Sequence, residues 1–159
     1  MFIGIPFGLL LILIIFIDVL PEFESVPKDN PNCVVIGDAA KHFTYEATNK
    51  AFQLLISLKD QESKMTEIER RSILISMGKN KFYKEDGELV LDLGAYTTAL
   101  EYACDLTAMI IGKPSAEYFL AAIAEMGADL KSTEVLMIGD DIIGDVKGAQ
   151  DCGKCFLLF

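Results

Sequence analysis

The stretch Val135-Leu-Met-Ile-Gly-Asp-Asp-Ile-Ile-Gly-Asp145 constrains the chain more than any other. An apolar run, Val135 to Ile138, reads as a strand, and it empties into Gly139 and three carboxylates, Asp140, Asp141 and Asp145, ahead of a helix over Asp145–Cys152. In open α/β sheets, ligands sit just beyond the carboxyl ends of strands. Several carboxylates at such an edge repel one another unless a hard cation neutralises them. Magnesium suits the position, because it prefers oxygen ligands and takes one or two carboxylates beside its waters. The competing reading is an aspartate-rich turn in which Asp145 caps the following helix. The residues of this stretch alone leave both open.

One crossover earlier stands Ile110-Ile-Gly-Lys-Pro114. A strand over Ala108–Ile111 leads directly to Lys113, which is expected to project over the same sheet edge as the aspartates. Pro114 is expected to open the next helix, where its missing N–H costs nothing. A lysine so placed can neutralise a phosphoryl oxygen or a carboxylate nucleophile. Single loop lysines are common; one paired with a strand-end Gly-Asp-Asp is much less so.

The remaining organisation follows from periodicity. From Thr107 the order is β-α-β-α-β, with helix over Ala116–Met126 and a last strand over Cys155–Phe159, which predicts parallel strands and right-handed crossovers. Upstream, Cys33-Val-Val-Ile-Gly37 is a buried strand, Thr44–Leu58 has apolar residues at helical spacing, and Ile73–Ser76 is a second strand. Lys81–Lys84 and Leu89–Leu91 flank an Asp-Gly turn, a hairpin signature, and a helix follows over Ala95–Ala103. The fold class is therefore α/β: a partial Rossmann-like core over 107–159 and a small α+β domain over 33–106. The charged segment 59–71 reads as an insertion whose Glu67 and Arg71 can pair on an exposed helix.

Met1–Ile17 contains no polar side chain, and 18–32 is a proline-bearing acidic linker. As a helix the first segment would span about 25 Å, a little short of a bilayer core. No basic residue precedes it, as a secretory signal would require. Two expectations stand for it: a membrane anchor, or a segment foreign to the fold that stands where an N-terminal half-core would be.

A formal charge of −10 repels phosphate backbones and argues against sequence-independent nucleic-acid binding. Four cysteines make no disulfide framework, and Cys33 and Cys104 read as small core residues in a reduced, intracellular chain. Cys152-Gly-Lys-Cys155 is a lone C-x-x-C, too little for a zinc site without a second pair.

Gly112-Lys-Pro followed by Gly139-Asp-Asp-x-x-x-Asp145-Val-x-Gly-Ala-Gln resembles the third and fourth motifs of haloacid-dehalogenase-type phosphatases with a large cap. Pro31 to Asp38, and Phe82 through Leu91-Asp-Leu-Gly to Cys104, are similar to the cap of the same family, and the resemblance covers about Glu22 to Leu158. It implies that an aspartate attacks the phosphoryl group and that water hydrolyses the aspartyl-phosphate. By this resemblance Asp140 is the remaining Mg2+ ligand and Asp141 a weaker candidate. Asp145 supports the metal site from behind, and Lys113 orients phosphoryl group and nucleophile. His42, the single histidine, is read as structural. Implied substrates are phosphohistidine, phospholysine or pyrophosphate; a homodimer in the full-length form and a cytoplasmic or nuclear setting are implied as well.

The departures are specific. The family opens with an Asp-x-Asp strand carrying the nucleophile, and no Asp-x-Asp occurs anywhere in this sequence. The expectation is a truncated form, or one spliced differently, inactive for lack of the nucleophile; a non-catalytic interaction module is the alternative.

Overall fold

The computed structural model describes residues 11–14, 21, 23–25, 29–61, 65–66, 73–126, 134–153 and 155–158. The chain forms two compact units, one reaching to Met109 and one from Ile110 onward.

In the first unit, β1 (Leu11–Ile14), β2 (Cys33–Ile36) and β3 (Leu74–Ser76) are parallel, with Leu11 level with Cys33 and Val34 level with Leu74. β2 lies between β1 and β3, and its four residues are buried throughout, as are the three of β3. Part of the N-terminal apolar run thus enters a sheet; the rest of 1–17 lies outside the described residues. No described helix is long and apolar enough to cross a membrane.

Helix α1 (Tyr45–Lys59) starts where Thr44 Oγ1 accepts the Ala47 N–H at 3.1 Å, and it buries Ala51, Leu55 and Leu58. The hairpin β4 (Phe82–Glu85) and β5 (Glu88–Leu91) turns through Asp86 and Gly87, both at positive φ, as a two-residue primed turn demands. Helix α2 (Leu93–Cys104) begins two residues before the periodicity suggests, because Asp92 accepts the Leu93 N–H. Inside this unit Ser76 and Thr97 hydroxyls meet at 2.8 Å; the pair is also satisfied by the Gly78 and Leu93 carbonyls. Lys79 pairs with Glu101, whose other oxygen accepts the Ala108 N–H at 3.0 Å. Cys33 and Cys104 are buried thiols, and burial pushes Cys33 up to about 12. His42 lies in a 3-10 turn over Ala40–His42. Of the segment 59–71, Lys59 closes α1, and Glu67 and Arg71 lie outside the described residues.

The chain passes into the second unit within β6 (Met109–Ile110). Helix α3 (Ala116–Met126) follows, and β7 (Leu136–Gly139) pairs in parallel with β8 (Cys155–Leu158). Between these two strands the chain makes a π-helical turn, Ile142–Lys147, that continues as the short α4 (Gly148–Asp151). The helix thus begins earlier than Asp145. Two expectations are corrected here. β6 is only two residues long and is not a member of the β7–β8 sheet, so Lys113 and the aspartates do not share one sheet edge. Pro114 lies in the turn before α3, whose first residue is Ala116.

Candidate functional site

The turn Gly112–Ser115 is closed by the Ser115 N–H on the Gly112 carbonyl at 2.8 Å, with a cis Lys113–Pro114 bond at its centre. From it Lys113 reaches the turn after β7. Its Nζ donates to Asp145 Oδ1 at 2.6 Å, and it is about one-third exposed while Asp145 is 5% exposed. The other carboxylate oxygen of Asp145 accepts the Asp141 N–H at 3.3 Å. Asp145 is therefore a buried carboxylate balanced by one ammonium and one amide.

Burial pulls the Lys113 ammonium down, but the hydrogen bond and the negative charge of Asp145 outweigh it. Its pKa lies above the ordinary lysine range, with smaller contributions from Tyr118 and Asp141. The amine stays charged at neutral pH.

The three aspartates divide their work differently from the sequence reading. Asp141, not Asp145, caps the helical turn: its Oδ1 accepts the Ile143 and Gly144 N–H groups at 2.9 and 3.0 Å. The reason is competition. Lys113 holds the Asp145 side chain, and Asp145 lies one turn into the helix, past the orphan donors a cap satisfies. Asp140 follows directly on β7, is exposed, and makes no hydrogen bond or ion pair among the described residues.

A magnesium ion can be tested against this set. Among the described residues no group of three or more histidine, cysteine, aspartate or glutamate side chains is placed to hold a metal. With Asp141 and Asp145 engaged, Asp140 alone offers an uncommitted carboxylate. That fits one side of a magnesium sphere, since the ion commonly takes one or two protein carboxylates and completes itself with water and phosphate oxygens. The Cys152 sulfur lies 3.9 Å from the Ala116 carbonyl, and the Cys155 side chain lies outside the described residues.

The sequence reading missed two glycines. A Cβ on Gly139 would fall on the Asp145 carboxylate, 2.5 Å from Cγ, and one on Gly148 would fall 2.5 Å from the Phe119 ring. Their signal is only an unremarkable Gly in each motif, and its meaning lies in what packs against it.

The chain is similar to known proteins in sequence and in fold. The HAD-hydrolase-like family model fits residues 110–158, from the end of β6 through β8. Over that stretch the chain is similar to haloacid-dehalogenase-like hydrolases. It is 53% identical over 141 residues to the phospholysine phosphohistidine inorganic pyrophosphate phosphatase of Xenopus laevis, a match covering 89% of this chain and 47% of that protein. To the Homo sapiens protein of the same name it is 45% identical over 146 residues, 92% of this chain and 49% of that one. The chain thus spans about half the length of these relatives. Among solved structures it is similar in fold to the 4-nitrophenylphosphatase of Thermotoga maritima, with TM-score 0.75 and 24% identity over 96% of this chain and 54% of that one. It also resembles a glycerol phosphate phosphatase from Mycobacterium tuberculosis solved in complex with magnesium, with TM-score 0.71 and 18% identity over 94% and 42% of the two chains.

Proposed function

We propose that this chain carries the cap and the phosphate-side half of a magnesium-dependent phosphatase that acts on phosphohistidine, phospholysine or pyrophosphate. The cap would occupy 33–106 and the half-core 107–159, with 18–32 as linker and 1–17 as an apolar segment, either a membrane anchor or a stand-in for an N-terminal half-core. The observation that carries the reading is the Lys113–Asp145 pair beside the uncommitted carboxylate of Asp140.

In this reading Lys113 donates hydrogen bonds to a non-bridging phosphoryl oxygen, and Asp145 keeps the amine charged and aimed. Asp140 supplies a carboxylate oxygen to the cation; Asp141 is the weaker ligand, because its cap already uses one oxygen. When bound, magnesium would offset the charge that accumulates on the phosphoryl group. Turnover further needs a nucleophile, and the sequence contains no Asp-x-Asp to provide one. The 159-residue chain is therefore proposed to be inactive by itself. A reduced intracellular setting, cytoplasmic or nuclear, fits the buried unbridged thiols of Cys33 and Cys104. A homodimer of the longer form is supported by one face of the hairpin, where Phe82, Leu89 and Leu91 stand exposed.

Two assays test this. Purified chain with magnesium should release no phosphate from pyrophosphate or phosphohistidine, and release would overturn the inactivity. Calorimetry with magnesium and inorganic phosphate should show binding that is lost in Lys113→Ala and in Asp140→Asn; equal binding by both variants would remove the site.

A further inference from the structure

We propose that Gly139 is a positioning residue: its missing side chain is the space that the Asp145 carboxylate occupies to hold Lys113. Its consequence for phosphate handling rests on the function proposed above, but the geometry stands without it.

The helix after β7 starts almost at once, and it starts wide. The Asp141 carbonyl accepts the Asp145 N–H at 2.9 Å and also the Val146 N–H at 3.1 Å, the second being a π-type bond. That turn brings Asp145 back over the end of the strand it follows. There a β-carbon on residue 139 would meet the Asp145 Oδ2, its Cγ at 2.5 Å and its Cβ at 2.6 Å. Carbon atoms pack at about 3.5–4.0 Å, so even alanine demands a shift of the order of an ångström. Rotation about χ1 of Asp145 can move Oδ2 and Cγ, but it cannot move Cβ, which the backbone holds. The shift must therefore come from the backbone, in the helical turn or at the strand end, and it disturbs the seat of the carboxylate.

The carboxylate is gripped on its other sides as well. Lys113 holds Oδ1 and the Asp141 N–H holds Oδ2. Asp145 is nearly fully buried, so a displaced carboxylate has no equivalent position from which to meet the ammonium. Gly139 touches neither phosphate nor metal in this scheme. It acts on Lys113 only through Asp145.

The test is amine acylation of the intact chain with limiting N-hydroxysuccinimide acetate, followed by peptide mass spectrometry. Lys113 should react slowly in the parent, and on the order of tenfold faster in Gly139→Ala, the loss of one charge-assisted hydrogen bond. Asp145→Asn should raise it comparably, and the two substitutions combined should add nothing. Lys147, more than half exposed and paired with Asp151, should keep its rate. A Lys113 rate unchanged by Gly139→Ala would overturn the proposal, and so would an equal rise at Lys147, which would indicate general loosening. Should Gly139→Ala fail to fold, Gly139→Ala with Asp145→Gly deletes the three atoms nearest the new methyl. Recovery of the far-ultraviolet circular dichroism with a reactive Lys113 supports the mechanism; a double variant that still fails to fold overturns it. Acylation reads the amine and not turnover, so a missing phosphatase activity leaves this result standing.

Discussion

Cys33-Val-Val-Ile-Gly-Asp38 and Leu136-Met-Ile-Gly-Asp140 carry nearly the same pattern, an apolar strand running into Gly-Asp, and the two ends do different things. β2 has hydrogen-bonded neighbours on both sides, and α1 packs on it. Val35, its least buried residue, is 3% exposed. Among the described residues β7 has one hydrogen-bonded neighbour, and Leu136 and Ile138 on one face are 55% and 51% exposed. At the end of β2, Asp38 turns back on the Ala40 N–H at 3.2 Å and meets no lysine among the described residues. At the end of β7, Asp140 leads to a carboxylate that does. A strand-end Gly-Asp is thus no site by itself. What sets the end of β7 apart is that a lysine from a distant part of the chain pairs with a second acid beside it.

The comparison breaks first on packing. Ile36→Ala removes a fully buried side chain and should cost about 2–5 kcal/mol in urea or thermal unfolding. A cost below about 1 kcal/mol would contradict the buried β2.

The next effect is in pH. Cys33 binds its proton more tightly folded than unfolded, since burial raises it from 9.0 to about 12. Above pH 9 the unfolded chain sheds that proton and the folded chain keeps it, so this contribution is complete below pH 9 and lost as pH climbs toward 12. The loss approaches about 1.4 kcal/mol per pH unit, and Cys33→Ala should remove that slope relative to the parent in unfolding measured across this window.

Asp145→Ala leaves Lys113 without its partner and should cost about 1–3 kcal/mol, whereas Asp38→Ala should cost about 0.5 kcal/mol or less. Equal costs would mean that the two Gly-Asp ends are energetically alike. Smallest of all, Leu136→Ala should change stability by no more than about 1 kcal/mol, because half of that side chain already meets solvent. A loss as large as that of Ile36→Ala would show that something covers β7 in solution.

Much of this was legible in the chain itself. Helix α3 runs over Ala116–Met126 as its pattern predicts, and the Asp86-Gly87 turn sits where Asp-Gly signals it. Both are local: a helical stripe and a positive-φ turn are properties of neighbouring residues. The meeting of Lys113 with the aspartate cluster was expected, but the residues alone left open whether Asp145 caps the helix or stands behind the site. Three aspartates within six positions can each cap a helix or ligate a cation, and sequence spacing does not rank them.

The sequence by itself determined most of the strands and helices, the α/β class, and the set of charged residues from which a phosphate site could be assembled, because these rest on side-chain period and residue chemistry. Tertiary structure decided which acid does what. Lys113 comes from 32 positions away to claim Asp145, Asp141 takes the cap that remains, and Asp140 is left exposed. It also gave Gly139 its meaning, because an empty volume beside a strand is defined only by the carboxylate that fills it.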